Sequence, residues 1–175
     1  MSIRDWIRTI PDYPKPGIQF RDLTPLFRDP AAFGEAVEAL VVPFAGQGIE
    51  LVAGIEARGF ILGAVVAQRL AAGFVPLRKP GKLPFRTLSE SYELEYGSDR
   101  IEIHADAVTG GAQVLLVDDL IATGGTALAA LRLLERAGGQ VRGCAFLVDL
   151  PDLGGSRRLA AAGQRVHCLC AFAGE

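Results

Sequence analysis

Residues 114–126 read VLLVDDLIATGGT. An apolar run meets two adjacent carboxylates, Asp118 and Asp119, and then becomes a small loop with Gly124 and Gly125 that closes on Thr126. QVLLVDD reads as a buried strand, and the following TALAALRLLERAGG carries apolar residues at helical spacing. VRGCAFLVDL supplies a second strand, so the passage is a strand–helix–strand unit. In a parallel sheet, ligands gather at the carboxyl ends of strands, where Asp118 and Asp119 are predicted to fall. Gly124 and Gly125 can adopt positive φ and bring backbone amides close to an anion. The helix, beginning near Thr126, adds unpaired N–H groups and the positive end of its dipole. Thr123 and Thr126 add hydroxyl donors. The loop has the makings of a phosphate cradle.

Two common nucleotide motifs are absent: no G-x-x-x-x-G-K-[ST], and no G-x-G-x-x-G after a strand. The carboxylate pair would repel a bare polyphosphate. Carboxylates do suit a vicinal diol, because they accept two hydrogen bonds in a fork. Phosphate donors beside diol acceptors describe a ribose 5-phosphate. The alternative is a pair of solvated loop acids with a helix start after them.

Working outward, ELVAGI is a strand, GFILGAVVAQRLAAG a helix with Gly73 as its expected cap, and FVPLR another strand. KPGKLPFRTLSE reads as a long polar loop, and SYELEY and RIEIHA as a hairpin around GSD. Towards the start, AAFGEAVEALVVPFA has helical periodicity, and IRDWIRTI reads as a short amphipathic helix stopped by Pro11. Between them lies a proline-punctuated arm, ordered because Ile18, Phe20, Leu23, Leu26 and Phe27 need burial. The expectation is one α/β domain over residues 1–175. It has a mostly parallel twisted sheet with helices on both faces, an N-terminal arm over about 1–30 and a lid over about 79–97.

Composition agrees. The 175 residues are 50% hydrophobic and 22% charged, which suits one globular domain. A net charge of −2 indicates no general attraction to nucleic acid. No apolar run approaches the roughly 20 residues that span a bilayer, and the charged start is not a secretory signal. Cys144, Cys168 and Cys170 form no stapling pattern, which points to a reducing compartment. CLC at 168–170 fits alternation on a late strand better than a metal site. His104 and His167 read as structural.

Positive charge for a second phosphate group comes from two places. GIEARGF puts Arg58 at a strand end just before a helix, and LRKPGKLPFR carries Arg78, Lys79, Lys82 and Arg86. A solvated loop face is the alternative for the basic run. Without an anion, Lys79, Lys82 and Arg86 have little to pack against.

VLLVDDLIATGGT matches the signature of the type I phosphoribosyltransferases. DYPKPGIQFRDLTPLF, GIEARGFILG, RKPGKLP and SYELEYG, in that order, resemble the adenine branch of that family from about residue 10 to residue 159. The resemblance implies transfer of the phosphoribosyl group of 5-phosphoribosyl-1-diphosphate to adenine, with Mg²⁺ bound mainly through substrate and no protein cage for it. It assigns the 5-phosphate to Ala122, Thr123, Gly124, Gly125 and Thr126, and the ribose hydroxyls to Asp118 and Asp119. It assigns the diphosphate to Arg58, Arg78, Lys79 and Lys82. Adenine falls to Gln19, Phe20 and Arg21, with Leu150 closing the other face. Glu95 in the lid is the proton-handling residue, beside Tyr96. A cytoplasmic homodimer is implied, with no membrane or nucleic-acid partner. Two other readings stay open: a relative acting on a 6-oxopurine, whose expected lysine after VDL is missing, and a non-catalytic phosphoribosyl diphosphate sensor, for which no DNA-binding segment is visible.

Overall fold

In the computed structural model, which describes residues 2–94 and 96–174, IRDWIRTI is helical for a single 3-10 turn, Ile3–Trp6. Its second half extends as β1 (Arg8–Pro11) and pairs antiparallel with β2 (Gln19–Asp22). The expected helix is corrected by a ladder partner that local periodicity cannot see. Side chains fasten the ribbon. Arg8 donates to the Asp22 carboxylate at 2.5 Å, and Arg21 donates to Thr9 Oγ1 at 2.6 Å. The short helix α1 (Thr24–Arg28) follows, then α2 (Pro30–Val41), whose N-cap Asp29 accepts from the Ala32 N–H at 2.9 Å.

Next come β3 (Leu51–Ile55), α3 (Arg58–Leu70) and β4 (Gly73–Leu77). Helix α3 closes on Ala71, left-handed at φ 53°, and not on Gly73, which instead opens β4. The Ala71 N–H reaches back to the Ala67 and Gln68 carbonyls, so the helix is finished two residues before the glycine. The hairpin strands are β5 (Thr87–Glu93) and β6 (Ser98–His104). They begin earlier than expected, which shortens the preceding loop to residues 78–86. The chain continues through β7 (Gln113–Ile121), α4 (Gly125–Arg136), β8 (Gln140–Asp149), α5 (Gly155–Ala161) and β9 (Val166–Ala171). CLC lies on β9, as alternation suggested; α5 has no counterpart in the sequence reading.

The main sheet runs β4-β3-β7-β8-β9, and every neighbouring pair is parallel. One face is covered by α2 and α3, with Leu40, Phe44, Leu62 and Val66 fully buried. The other is covered by α4 and the hairpin through Leu133, Leu134, Ile101 and Ile103. Burial on both faces explains the unbroken apolar runs of the central strands. From β3 the chain passes outward to β4, whereas from β7 it passes the opposite way to β8. At that reversal the two following helices diverge, and a crevice opens outside the strand ends.

Candidate active site

The crevice is a cleft of about 320 Å³, inside the range of small-molecule sites. Its floor is the acid pair. Strand β7 does not end at Asp119 as expected but runs on to Ile121, paired with β8 as far as Asp149. On the other side the pairing with β3 stops at Gly54 and Val117, so β7 is paired with β8 on one flank past the acids and open on the other. Asp118 Oδ1 accepts the Asp119 N–H at 2.8 Å. Asp119, only 4% exposed, lies 2.6 Å from Arg58 Nε, an ion pair off the line of a hydrogen bond.

Asp118 keeps some solvent contact, yet its carboxyl is ringed by protein, and its pKa is pushed well above the usual range. Burial is the main cause and the Asp119 charge the second, with Arg58 opposing. A carboxyl whose folded pKa is raised binds more protons folded than unfolded, so its effect on stability turns unfavourable as pH rises past the unfolded value. Asp118→Asn should therefore raise the thermal midpoint at neutral pH while lowering activity. The gain should shrink as pH falls towards about 4, where the unfolded carboxyl also becomes protonated. Thermal unfolding of both proteins across that range is the check, and a gain independent of pH would refute the assignment.

The cationic wall is built from the ends of β3 and β4. Arg78 Nη2 donates to Glu56 Oε1 at 2.9 Å, and the Lys79 N–H donates to Glu56 Oε2 at 2.8 Å. The Arg78 hydrogen bond holds the Glu56 carboxyl below its ordinary pKa. Lys79 Nζ donates to the Tyr92 hydroxyl at 2.8 Å and to Asp99. The expectation that Lys79 stays loose is thus corrected: the hairpin supplies its counter-charge. Lys82 and Arg86 are exposed and outside the cleft lining.

The opposite wall is the loop. Ala122, Thr123, Gly124, Gly125 and Thr126 all line the cleft. Gly124 sits at φ 83° and α4 starts at Gly125, one residue before Thr126, without a side-chain cap on its first N–H groups. A left-handed residue at that point sends the chain into the helix directly from the strand.

Other predicted residues are not brought into the cleft. Gln19 and Phe20 are half-buried on β2, with the Phe20 ring 5.3 Å from the Arg58 guanidinium carbon. The Arg21 side chain turns away, donating to the Ala173 carbonyl at 3.2 Å and lying 4.5 Å from the Phe172 ring. Leu150 is buried in the α2 and α3 side of the core. Tyr96 is 83% exposed at the hairpin tip; Glu95 lies outside the described residues.

Residues 35–159 match the family model described as the phosphoribosyl transferase domain. A curated adenine phosphoribosyltransferase of Cereibacter sphaeroides is 62% identical over 173 residues, covering 99% of this chain and 97% of the relative. That of Maricaulis maris is 60% identical over 174 residues, covering 99% of each. The crystal structure of the Rhodothermus marinus adenine phosphoribosyltransferase superposes with a TM-score of 0.93 at 56% identity, covering 97% of this chain and 96% of that one. The Saccharomyces cerevisiae enzyme, complexed with an imino-altritol bisphosphate and adenine, superposes at 0.89 with 38% identity, covering 95% and 96%. The chain belongs to the adenine phosphoribosyltransferase family.

For a phosphoribosyltransferase, two residues that sequence reasoning passed over stand out. Glu56 and Tyr92 line the cleft and hold the cations Arg78 and Lys79. Glu56 stands two positions before Arg58 in GIEARGF, whereas nothing in SYELEY distinguishes Tyr92 from any other strand aromatic. The remaining reactive groups lie elsewhere. Burial pushes the Cys144 and Cys168 thiols up to about 12, and His167 is bonded to the Ala39 carbonyl at 2.9 Å. Among the described residues no three His, Cys, Asp or Glu gather as a metal cage.

Proposed function

We propose that this protein transfers the 5-phosphoribosyl group of 5-phosphoribosyl-1-diphosphate to adenine, giving AMP and diphosphate. The observation that carries the reading is one cleft with a glycine-bearing loop on one wall, two carboxylates on its floor and three cations, Arg58, Arg78 and Lys79, around it. The loop from Ala122 to Thr126 takes the 5-phosphate, and Asp118 and Asp119 accept from the ribose hydroxyls. Arg58, Arg78 and Lys79 face the diphosphate, with Lys82 joining from the exposed loop. The bond from the anomeric carbon to diphosphate breaks, a carbon–nitrogen bond to the purine forms, and the purine gives up its proton. Cations fixed at the leaving group lower the barrier as charge develops there.

Adenine belongs beside Arg58, held by the Gln19–Arg21 segment, with Phe20 on its face, backbone at Gln19 on its polar edge, and Leu150 closing the other face. Glu95 handles the proton, with Tyr96 beside it. The yeast relative, which binds adenine together with a bisphosphate, supports adjacent pockets. The cleft's acids fit Mg²⁺ held mainly through substrate oxygens and waters: Glu56 is already taken by Arg78 and the Lys79 N–H, which leaves Asp118 and Asp119 to meet the ion. When bound, it offsets the charge of the leaving diphosphate. A homodimer in a reducing, cytosolic setting completes the reading, and free thiols support that setting.

We place the lid in a narrower part of residues 79–97. Tyr92, Ile101 and Ile103 are buried against α4, and Arg136 grips the Ser89 carbonyl at 2.8 Å and Glu90 at 2.7 Å. The exposed parts are the tip around Leu94 and Tyr96 and the loop carrying Phe85. Trypsin should cut after Lys82 and Arg86. At ten times its Kd, phosphoribosyl diphosphate with Mg²⁺ should slow that cleavage about tenfold. Equal rates would show that the loop does not close on this ligand.

The reaction itself is tested by product analysis with adenine, hypoxanthine and guanine. A pocket that matches one exocyclic pattern leaves polar groups unpaired with the other, so AMP should be the dominant product. Equal turnover of guanine would overturn the base assignment and leave the sugar-phosphate site standing.

A further inference from the structure

The phosphate loop does not hold its own shape. Two of its carbonyls are taken by α5, which contributes nothing to the cleft lining. The Gly155 N–H donates to the Ala122 carbonyl at 2.9 Å, and Arg158 Nη1 donates to the Thr123 carbonyl at 2.6 Å. Cis peptides among the described residues fall only at Tyr13–Pro14 and Glu56–Ala57, so the peptides after Ala122 and Thr123 are trans. In a trans peptide the carbonyl and the next N–H point in opposite directions. Fixing those two carbonyls towards α5 therefore turns the Thr123 and Gly124 N–H groups away from α5. Both residues line the cleft.

We infer that Arg158 is a positioning residue for phosphoribosyl transfer, setting the peptide plane that aims the Gly124 N–H at the 5-phosphate. The inference rests on the assignment of this loop to that phosphate. Gly155 allows the arrangement, because a Cβ there would stand 2.4 Å from the Ala122 oxygen and 2.8 Å from the Gly124 nitrogen. Close seating puts the Arg158 guanidinium, one turn along the same short helix, within reach of the next carbonyl. Without that donor the Thr123–Gly124 peptide can rotate. An amide aimed at a phosphate is a charge-assisted donor, so freeing it weakens the ligand that uses it and leaves the purine untouched.

The test is binding of ribose 5-phosphate, which carries the phosphate without the diphosphate, followed by amide chemical shifts in the wild type, Arg158→Ala and Arg158→Lys. In the wild type, ribose 5-phosphate should move the Thr123 and Gly124 amides. Arg158→Ala should raise the Kd about tenfold, raise the KM for phosphoribosyl diphosphate in parallel and leave the KM for adenine unchanged. Arg158→Lys, which keeps one cationic donor, should recover most of the loss. If the wild type shows no shift at the loop amides, the loop assignment fails and the inference with it. If the wild type shifts but Arg158→Ala binds equally well, the loop assignment stands and the role of Arg158 is overturned. A loss spread equally over both substrates with a lowered thermal midpoint also overturns it, because that marks general loosening.

Discussion

Gly59→Ala is expected to lower kcat/KM for phosphoribosyl diphosphate about a hundredfold, although residue 59 offers the substrate no functional group. A Cβ there would stand 2.7 Å from Asp118 Oδ1 and 3.1 Å from the Val117 carbonyl oxygen. Neither atom is the loose end of a long side chain. One belongs to the main chain of a central strand, and the other also accepts the Asp119 N–H. Relief comes from rotating Asp118, which breaks that hydrogen bond, or from lifting the start of α3, which moves Arg58 off Asp119. Overpacking of this kind costs about 1–3 kcal/mol in stability. A displacement of about 1 Å among reacting groups costs on the order of a hundredfold in rate. Initial rates of AMP formation and a thermal melt measure the two effects, and an alanine variant within threefold of wild type would show that α3 and β7 have slack between them.

Asp119→Asn should weaken phosphoribosyl diphosphate far more than adenine. A carboxylate bonded to a diol is a charge-assisted acceptor worth about 1.5–3 kcal/mol, or roughly tenfold to a hundredfold. Here the group has a second duty, because it is the ion-pair partner of Arg58. Asparagine keeps the shape but loses the charge that holds the guanidinium over the acid floor. Steady-state kinetics with each substrate varied in turn gives the comparison. An unchanged KM for phosphoribosyl diphosphate together with unchanged turnover removes Asp119 from the site.

Much of this site is legible in the chain because its parts are local. The acid pair, Gly124 and Thr126 lie within one strand, loop and helix, and the apolar periods on either side announce those elements. The parallel sheet follows from the same alternation of elements. What escaped is whatever depends on distant partners. β1 was read as helix because its ladder partner β2 lies beyond a proline-rich turn. Lys79 looked solvated because Asp99 and Tyr92 reach it only after the hairpin folds back. Arg158 carries no signal in the sequence because its acceptor is a backbone carbonyl 35 positions earlier. Hydrogen bonds to the main chain leave no residue-type signature at the accepting end.

The anchoring of the arm has a consequence for how the protein is made. Arg21 reaches the Ala173 carbonyl, 152 positions later in the chain, and both Arg4 and Arg21 lie over the Phe172 ring, at 4.4 and 4.5 Å. Phe172 also joins Ile7 and Leu23 in the core. The β1–β2 ribbon is two strands of four residues each, too small to persist in water without something to pack on. At about 5–20 residues per second of synthesis, it waits roughly 8–30 s for that partner. The β1–β2 ribbon thus takes its final place only after Phe172 and Ala173 have been made, later than the strand, loop and helix that carry Asp118 to Thr126.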